Sequence, residues 1–249
     1  MPAFEMEWRD VLFASYPVDP AIVRAHVPNR FEVDTFDGEA YLSVVPFVIG
    51  NIRPRGLPAA VGLTTPELNL RTYVTCDRSA ERSVDSHSSE QGGAKSRNGA
   101  AGVYFFNLDA DDVLGVVGAR LFNQLPYYLA DMTVEDGSPI RFESRRRTPG
   151  ARPCRFAGTY APDGEPFRAE PGTLEHFLAE RYRYFTEASD GTVRHAEIAH
   201  EPWTLRRATW NVEENTIFEA NGFDEPESEP VLLYSRGVDV RASASKHWQ

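Results

Sequence analysis

Strict alternation of polar and apolar residues runs through the stretch Glu67-Leu-Asn-Leu-Arg-Thr-Tyr-Val74. In a strand, successive side chains point to opposite faces of the sheet. One face therefore carries Glu67, Asn69, Arg71 and Tyr73, and the other carries mainly apolar side chains. The pattern predicts a strand with one face in the core.

The polar face of this strand has two interpretations. The first, slightly favoured by the sequence alone, is a half-exposed strand with its polar side in water. The second is a barrel interior, where a buried carboxylate and a buried guanidinium need partners and define a polar pocket. Positions four apart on a strand are separated by about 13 Å. Glu67 and Arg71 would then leave room for a small carbonyl or carboxylate ligand.

Two further elements accompany this strand. Residues 77–101 have almost no apolar content, which predicts a disordered insertion at a hairpin tip. The return strand is predicted at Val103–Leu108, inside the stretch Gly102-Val-Tyr-Phe-Phe-Asn-Leu-Asp109. Apolar residues then recur with helical spacing over 113–122, and Pro126 ends that helix just before Tyr127 and Tyr128.

The rest of the chain predicts many strands and few helices. Asp19 is expected to cap a short helix. Thr173 is expected to cap a second helix, with the basic residues Arg181 and Arg183 near its end. The residues of this helix expected to face inward are Leu174, Phe177, Leu178 and Tyr182. A third short helix is expected at 213–220, and a loop at 51–58. Strands are predicted at 8–13, 31–38 hairpinned to 39–49, 140–147 paired with 155–160, 192–198, 205–212 and 231–240. This order favours one α+β domain over residues 1–249, built on a mostly antiparallel sheet or barrel.

Composition restricts the partners. The chain has 37 acidic and 26 basic residues, a net charge of −11, so a nucleic-acid partner is disfavoured. It lacks an apolar run of membrane-spanning length and a leader pattern, which predicts no membrane partner and a cytoplasmic location. Lys95 and Lys246 are the only lysines. Acid excess with few lysines leads to the hypothesis of a halophilic source. The hypothesis would be contradicted if the protein stayed folded after dialysis from molar salt into dilute buffer.

The chemical motifs are weak. His195, Glu197 and His200 resemble a metal-ligand set, but on a strand His200 would point away from the other two, so no metal site is predicted. Neither a glycine-rich phosphate loop nor a Gly-x-Ser-x-Gly elbow is present, and no cofactor is predicted. Cys76 and Cys154 are expected to be buried and reduced. Arg145-Arg-Arg147 is expected to be a solvated edge or to form ion pairs, with an anion site as the alternative.

Several motifs, in order along nearly the whole chain, resemble the YqjF-like family of uncharacterised proteins, a branch of the acetoacetate decarboxylase-like superfamily. The resemblance implies a β-barrel-like fold with a central cavity and a few flanking helices. The motifs are Val18-Asp-Pro20, Phe36-Asp-Gly38, Glu67 to Val74, Gly102 to Asp109, Ala119-Arg120 with Leu125-Pro-Tyr-Tyr128, Leu174-Glu-x-Phe-Leu-x-Glu-Arg-Tyr182 and His200-x-Pro-Trp203.

One departure from the superfamily concerns its chemistry. Its decarboxylases have an arginine-led segment ending in Gly-Phe-Pro-Lys-Lys, and the lysine after the proline forms a Schiff base. The similar segment here is Arg120-Leu-Phe-Asn-Gln-Leu-Pro126, and Tyr127 stands where that lysine would. Since a phenol cannot form an imine, Schiff-base decarboxylation is disfavoured. The resemblance carries over Glu67 as a pocket carboxylate.

These observations predict a protein that binds a small organic ligand, a keto acid or a phenolic compound, in a barrel cavity. Glu67 and Tyr127 are the candidate catalytic residues. The predicted ligand-binding residues are Asn69, Arg71, Tyr73, Arg120 and Tyr128. One alternative is a lyase or hydratase that uses Glu67 and Tyr127 for proton transfer, and another is a structural or partner-binding protein. The oligomeric state, including a homo-oligomer, stays open.

Overall fold

The computed structural model describes residues 2–77, 99–111, 125–188 and 190–248. These residues are mainly strand. The thirteen strands of the described part are β1 Pro2–Val18, β2 Glu32–Val33, β3 Ala40–Pro54, β4 Leu63–Cys76, β5 Ala100–Ala110, β6 Tyr127–Glu135, β7 Ile140–Arg146, β8 Arg155–Phe167, β9 Arg183–Glu187, β10 Val193–Ala199, β11 Leu205–Asn215, β12 Val231–Ser243 and β13 Lys246–His247.

The helices of the described part are short. They are α1 Pro20–Arg24, a 3-10 turn at Ala59–Val61, α2 Leu174–Ala179 and α3 Ile217–Ala220. As predicted, Asp19 caps α1 by accepting a hydrogen bond from the backbone of Ala21 at 2.8 Å, and Thr173 caps α2. Within the described ranges, no helix has the length and apolar character needed to cross a membrane.

The strands form one sheet in the order β13-β10-β9-β5-β6-β7-β8-β11-β12-β1-β3-β4-β2. Two further pairings, β4 with β5 and β10 with β12, join strands that are distant in this order. From β5, pairing passes through β6, β7, β8, β11, β12, β1, β3 and β4 and returns to β5, so the sheet is ring-like. β5 pairs parallel with β6 and β9, and the other pairings among the described residues are antiparallel. The prediction of a mostly antiparallel sheet with few helices is confirmed.

Strand β4 is buried on both faces. Leu68, Leu70 and Val74 lie in the largest apolar cluster, together with Phe156 and Phe185. This confirms the predicted core face.

The polar face of β4 is buried as well. Glu67, Asn69, Arg71 and Tyr73 are 3%, 2%, 9% and 0% exposed. They face two smaller apolar clusters that include residues of α2. The interpretation of this face as half-exposed in water is therefore wrong, because the ring-like sheet and α2 cover it.

Segment 31–49 differs from the predicted hairpin of two strands. β2 contains only Glu32–Val33 and pairs with β4, while β3 pairs with β1 and β4. The Asp-Gly turn does form, since Phe36 and Glu39 make a bridge around it. Asp37 and Gly38 both have positive φ, at 50° and 91°, as tight hairpin turns require.

Three predicted boundaries are wrong because strand pairing extends farther than local sequence indicates. β3 continues to Pro54, into the predicted loop at 51–58. β11 continues to Asn215, which pairs with Phe156, so the helix predicted at 213–220 begins only at Ile217. Residues 100 and 101, predicted to lie in the insertion, belong to β5.

Three strands, β6, β9 and the two-residue β13, were not predicted from the sequence. β9 follows α2 closely, and helix α2 ends at Ala179. Tyr182 therefore lies outside the helix and is 40% exposed, which corrects its predicted inward position. The helix predicted at 113–122 and most of the predicted insertion lie outside the described residues.

The strands predicted for the second half of the chain, and the state of the two cysteines, are confirmed. β7 and β8 pair as predicted, and β10, β11 and β12 occupy the predicted strand positions. Cys76 and Cys154 are both buried and free.

Candidate functional site

Glu67 is the centre of the candidate site. It lies on β4 between Phe47 of β3 and Ala110 of β5, and it is 3% exposed. The Tyr127 hydroxyl donates to Glu67 Oε2 at 2.7 Å, and the Asn69 side-chain amide donates to Oε1 at 3.2 Å. Both partners are neutral groups. Among the described residues, this buried carboxylate is held by hydrogen bonds from neutral groups and forms no ion pair.

The pKa of the Glu67 carboxyl is raised from 4.5 to about 7. Burial is the main cause, and the nearby charge of Asp109 adds to it. The hydrogen bonds from Tyr127 and Asn69 and the charge of Arg71 oppose this rise. Glu67 can therefore gain or lose a proton near neutral pH.

Tyr127 reaches Glu67 through strand pairing. It begins β6, which runs parallel to β5, and it lies beside Leu108. Burial and the negative charge of Glu67 raise the pKa of the Tyr127 hydroxyl well above 10. At neutral pH Tyr127 is a hydrogen-bond donor.

Arg71 lies on the same face of β4. Its guanidinium carbon is 5.2 Å from the centroid of the Phe13 ring and 5.9 Å from that of Tyr73. Its Nη2 donates to the carbonyl of Leu178 at 3.4 Å. In the described ranges Arg71 has no acidic partner, and its buried Nε has no hydrogen-bond acceptor. Among the described residues no carboxylate is in ion-pair contact with this buried cation, although the charges of Arg71 and Glu67 act on each other at longer range.

Tyr73, one of the predicted ligand-binding residues, contacts groups of α2 and β3. Its hydroxyl donates to the Leu178 carbonyl at 2.9 Å and is 2.9 Å from the Ser43 hydroxyl. The guanidinium of Arg181 lies 5.1 Å from its ring and pairs with Asp34 at 3.0 Å. Tyr73 therefore fixes α2 against β4.

The two remaining predicted residues are not brought to Glu67. The ring of Tyr128 lies 4.0 Å from the guanidinium of Arg146, which pairs with Asp109. Because neighbouring residues of a strand point to opposite faces, Tyr128 faces away from the Tyr127 side. Tyr128 thus lies beside Arg146 and not beside Glu67, and its role in ligand binding stays a prediction. Arg120 lies outside the described residues.

Two residues near the site were missed from the sequence. Tyr184, on the unpredicted strand β9, is buried, and burial raises the pKa of its hydroxyl to about 12. It is close enough to Tyr127 to affect the pKa of the Tyr127 hydroxyl. The second residue is Arg181. Burial lowers the pKa of its guanidinium, and the positive charge of Arg71 lowers it further. The run Tyr184-Phe-Thr186, made of residues that favour strands, was the signal that could have revealed β9 and with it Tyr184.

The described residues contain no metal-binding cluster, and two cavities lie at the surface. Among the described residues, no three His, Cys, Asp or Glu side chains are grouped so that they could hold a metal ion. One surface cavity of about 450 Å³ adjoins Cys76 and Trp248, and another of about 270 Å³ lies at residues 145–155. Neither is lined by Glu67, Arg71 or Tyr127, so a cavity at the centre of the sheet stays a prediction.

Known proteins resemble this chain in sequence and in fold. The family DUF2071, described as "Uncharacterized conserved protein", matches residues 5–90 and 93–239. The "Uncharacterized protein YqjF" of Bacillus subtilis (strain 168) is 40% identical over 243 residues, covering 97% of this chain and 90% of that protein.

Among solved structures, acetoacetate decarboxylase from Legionella pneumophila is similar in fold, with a TM-score of 0.62 and 12% identity over 98% of this chain and 86% of that one. The enduracididine biosynthesis enzyme MppR, complexed with pyruvate, gives a TM-score of 0.63 and 12% identity over 100% of this chain and 91% of that one. At such identities the likeness establishes the fold alone.

Proposed function

The chain belongs to the DUF2071 family, and on that premise we propose that it binds a small organic ligand, a keto acid or a phenolic compound, at Glu67, Asn69, Arg71 and Tyr127. The ligand would occupy the predicted barrel cavity. The family is defined by sequence and not by activity, so the proposal rests on the chemistry of these side chains.

The proposal is carried by Arg71, a buried cation with no ion-pair partner among the described residues. An unpaired buried charge is strongly unfavourable, and natural proteins normally pair such groups. Arg71 is 9% exposed, and no acidic side chain of the described chain pairs with it. Asn69 Oδ1 is another buried polar atom with no partner there. A ligand carboxylate would supply the missing acceptor for Arg71, and a ligand hydroxyl could donate to Asn69.

The structural neighbours support the ligand class. MppR has the same fold and was solved with pyruvate, which is a keto acid. The lysine that forms a Schiff base in the decarboxylases is replaced by Tyr127 in this chain. Lys246, the one lysine in the described ranges, lies in β13 and is exposed. Binding here would therefore rely on hydrogen bonds and charge.

A second candidate function is proton transfer of the lyase or hydratase type. The pKa of about 7 for Glu67 favours it, because a general acid or base works best when its pKa is near the operating pH. Tyr127 would orient the carboxyl and stabilise an enolate-like oxygen. In the third alternative, a structural protein, the same hydrogen bonds would only hold β6 against β4.

The test is a thermal-shift screen in high salt with small keto acids, hydroxy acids and phenolic compounds. A ligand that binds the native state raises the melting temperature by mass action. We expect a hit with wild type that is lost in Arg71→Met and weakened in Tyr127→Phe. Tyr104→Phe is the matched control, because it removes a phenol hydroxyl from the large apolar cluster on the other side of the sheet.

The outcomes separate the three functions. Exchange of the hit's α-protons with D2O, followed by proton NMR and abolished in Glu67→Gln, would establish proton transfer. Binding without exchange would leave a binding protein. A screen without any hit, together with stability lost in Arg71→Met, would support the structural alternative and overturn the proposal.

A further inference from the structure

Arginine side chains line the cavity at the turn between β7 and β8. This cavity has a volume of about 270 Å³ and is formed by residues 145–148 and 151–155. Five of these residues, Arg145, Arg146, Arg147, Arg152 and Arg155, are arginines. The whole chain carries a net charge of −11, so this concentration of positive charge opposes the character of the rest of the surface.

Acidic side chains neutralise only part of that charge. Arg146 is buried and pairs with Asp109, with its Nε at 2.7 Å from Oδ1 and its Nη2 at 2.9 Å from Oδ2. Arg147 pairs with Asp131 at 2.8 Å. Arg155 approaches Glu214 only to 3.7 Å, and both side chains are about half exposed.

Arg145 and Arg152 make no ion pair in the ranges that the structure describes. The five guanidiniums thus face three carboxylates, which leaves about two positive charges at the cavity.

The strand register adds repulsion between two of these arginines. Arg145 of β7 lies directly opposite Arg155 of β8. Like charges in directly opposite positions destabilise an antiparallel pair. On its other side Arg145 lies opposite Asp131, whose carboxylate already pairs with Arg147. A bound anion would relieve this repulsion.

We propose that the cavity at the β7–β8 turn binds a tetrahedral oxyanion, either inorganic phosphate or the phosphate group of a small metabolite. The planar guanidinium fork matches the oxygen geometry of phosphate and can bind it through two parallel hydrogen bonds. Arg145, Arg152 and Arg155 supply the donors, while Arg146 and Arg147 stay tied to their carboxylates. The volume exceeds that of one phosphate, and it is at the small end of ligand pockets. It therefore leaves room for a few additional atoms.

The experiment is isothermal titration of inorganic phosphate and, separately, glycerol 3-phosphate into the full chain. Sodium chloride is kept at the lowest concentration at which circular dichroism shows the protein folded, since salt screens exposed charges. The variants are Arg145→Gln and Arg152→Gln, which break no ion pair that the structure shows. Arg241→Gln is the matched control, because it removes one positive charge from an exposed position on β12, outside the cavity, and breaks no ion pair that the structure shows.

We expect saturable binding that Arg145→Gln and Arg152→Gln each weaken by about tenfold or more, as the loss of a charge-assisted hydrogen bond implies. Arg241→Gln should change the affinity by less than about threefold, since it alters only the screened long-range field. Tighter binding of glycerol 3-phosphate than of phosphate would identify an organic phosphate as the ligand class. Equal binding would identify the free ion.

Absence of saturable binding with both probes would overturn the proposal. An equal loss of affinity in Arg241→Gln would overturn it as well, because the effect would then be general electrostatics. The proposal is independent of the function proposed for Glu67 and Arg71, since none of its variants touches that site.

Discussion

Two carboxylates are buried on neighbouring strands and have opposite surroundings. Glu67 on β4 is 3% exposed and Asp109 on β5 is 0% exposed. Asp109 lies opposite Leu68, the residue after Glu67. Asp109 accepts two hydrogen bonds from the Arg146 guanidinium, whereas Glu67 accepts from the neutral side chains of Tyr127 and Asn69.

The difference separates a structural role from a chemical one. Burial raises the pKa of both carboxyl groups, but Arg146 opposes the rise at Asp109 with a full positive charge. The neutral donors at Glu67 oppose it less, and the pKa reaches about 7. Asp109 is therefore an anion that locks β5 to β7. Glu67 can exchange a proton at neutral pH.

The largest effect should come from breaking the paired site. Arg146→Leu would leave Asp109 buried without its counter-ion, and we expect a loss of about 3–5 kcal/mol in the free energy of unfolding. Urea denaturation at pH 7 measures this. The double variant Asp109→Asn with Arg146→Leu should lose less than the single variant, because it buries no unpaired charge. A loss below about 1 kcal/mol in Arg146→Leu would show that the pair is not structural.

The second prediction uses the raised pKa of Glu67. In the unfolded chain Glu67 titrates near 4.5, and in the folded protein near 7. Its contribution to stability is therefore complete below pH 4.5 and is lost as the pH rises to 7. We expect wild type to lose about 3 kcal/mol relative to Glu67→Gln between pH 4.5 and pH 8, measured by urea denaturation at constant salt. A difference that does not vary with pH would contradict the raised pKa.

The sequence was informative where a side chain's environment depends on its own strand. Alternation in β4 correctly grouped Glu67, Asn69, Arg71 and Tyr73 on one face. It could not show whether that face is wet or dry, because the answer depends on α2 and on closure of the ring far away in sequence. The contact between Tyr127 and Glu67 joins residues 60 positions apart. Local periodicity contains no information on such a pairing.

The errors near the site have the same origin. Tyr128 was grouped with Tyr127 because β6 was not recognised as a strand, and strand geometry sends the two rings to opposite faces. Tyr184 was missed together with β9. Arg181 was assigned to a helix end, although it pairs with Asp34 from a distant segment. In each case tertiary pairing, and not local propensity, determined the position.

A smaller effect is expected when one neutral donor is removed from Glu67. Tyr127→Phe deletes the 2.7 Å hydrogen bond to Oε2, and at pH 8, where Glu67 is ionised, we expect a loss of about 1.5–3 kcal/mol. The pKa of Glu67 should rise, because that bond favours the charged form. Carbon NMR of the labelled carboxyl group measures the pKa. Tyr104→Phe should leave it unchanged, and an unchanged pKa in Tyr127→Phe would contradict the hydrogen bond.

The smallest change in stability is expected for Arg71→Met. This variant should not destabilise the protein as Arg146→Leu does. Arg71→Met removes a buried charge that no carboxylate of the described chain compensates, so the free energy of unfolding should stay within about 1 kcal/mol of wild type or increase. The Leu178 carbonyl keeps its hydrogen bond from Tyr73. The pKa of Glu67 should rise further, since Arg71 lowers it.

Urea denaturation of Arg71→Met beside Arg146→Leu makes this comparison directly. A loss of about 3 kcal/mol in both would place the two arginines in the same structural class. A loss confined to Arg146→Leu would mean that Arg71 is retained at the expense of stability, as binding residues commonly are. The cation without a partner would then be the one that binds the ligand.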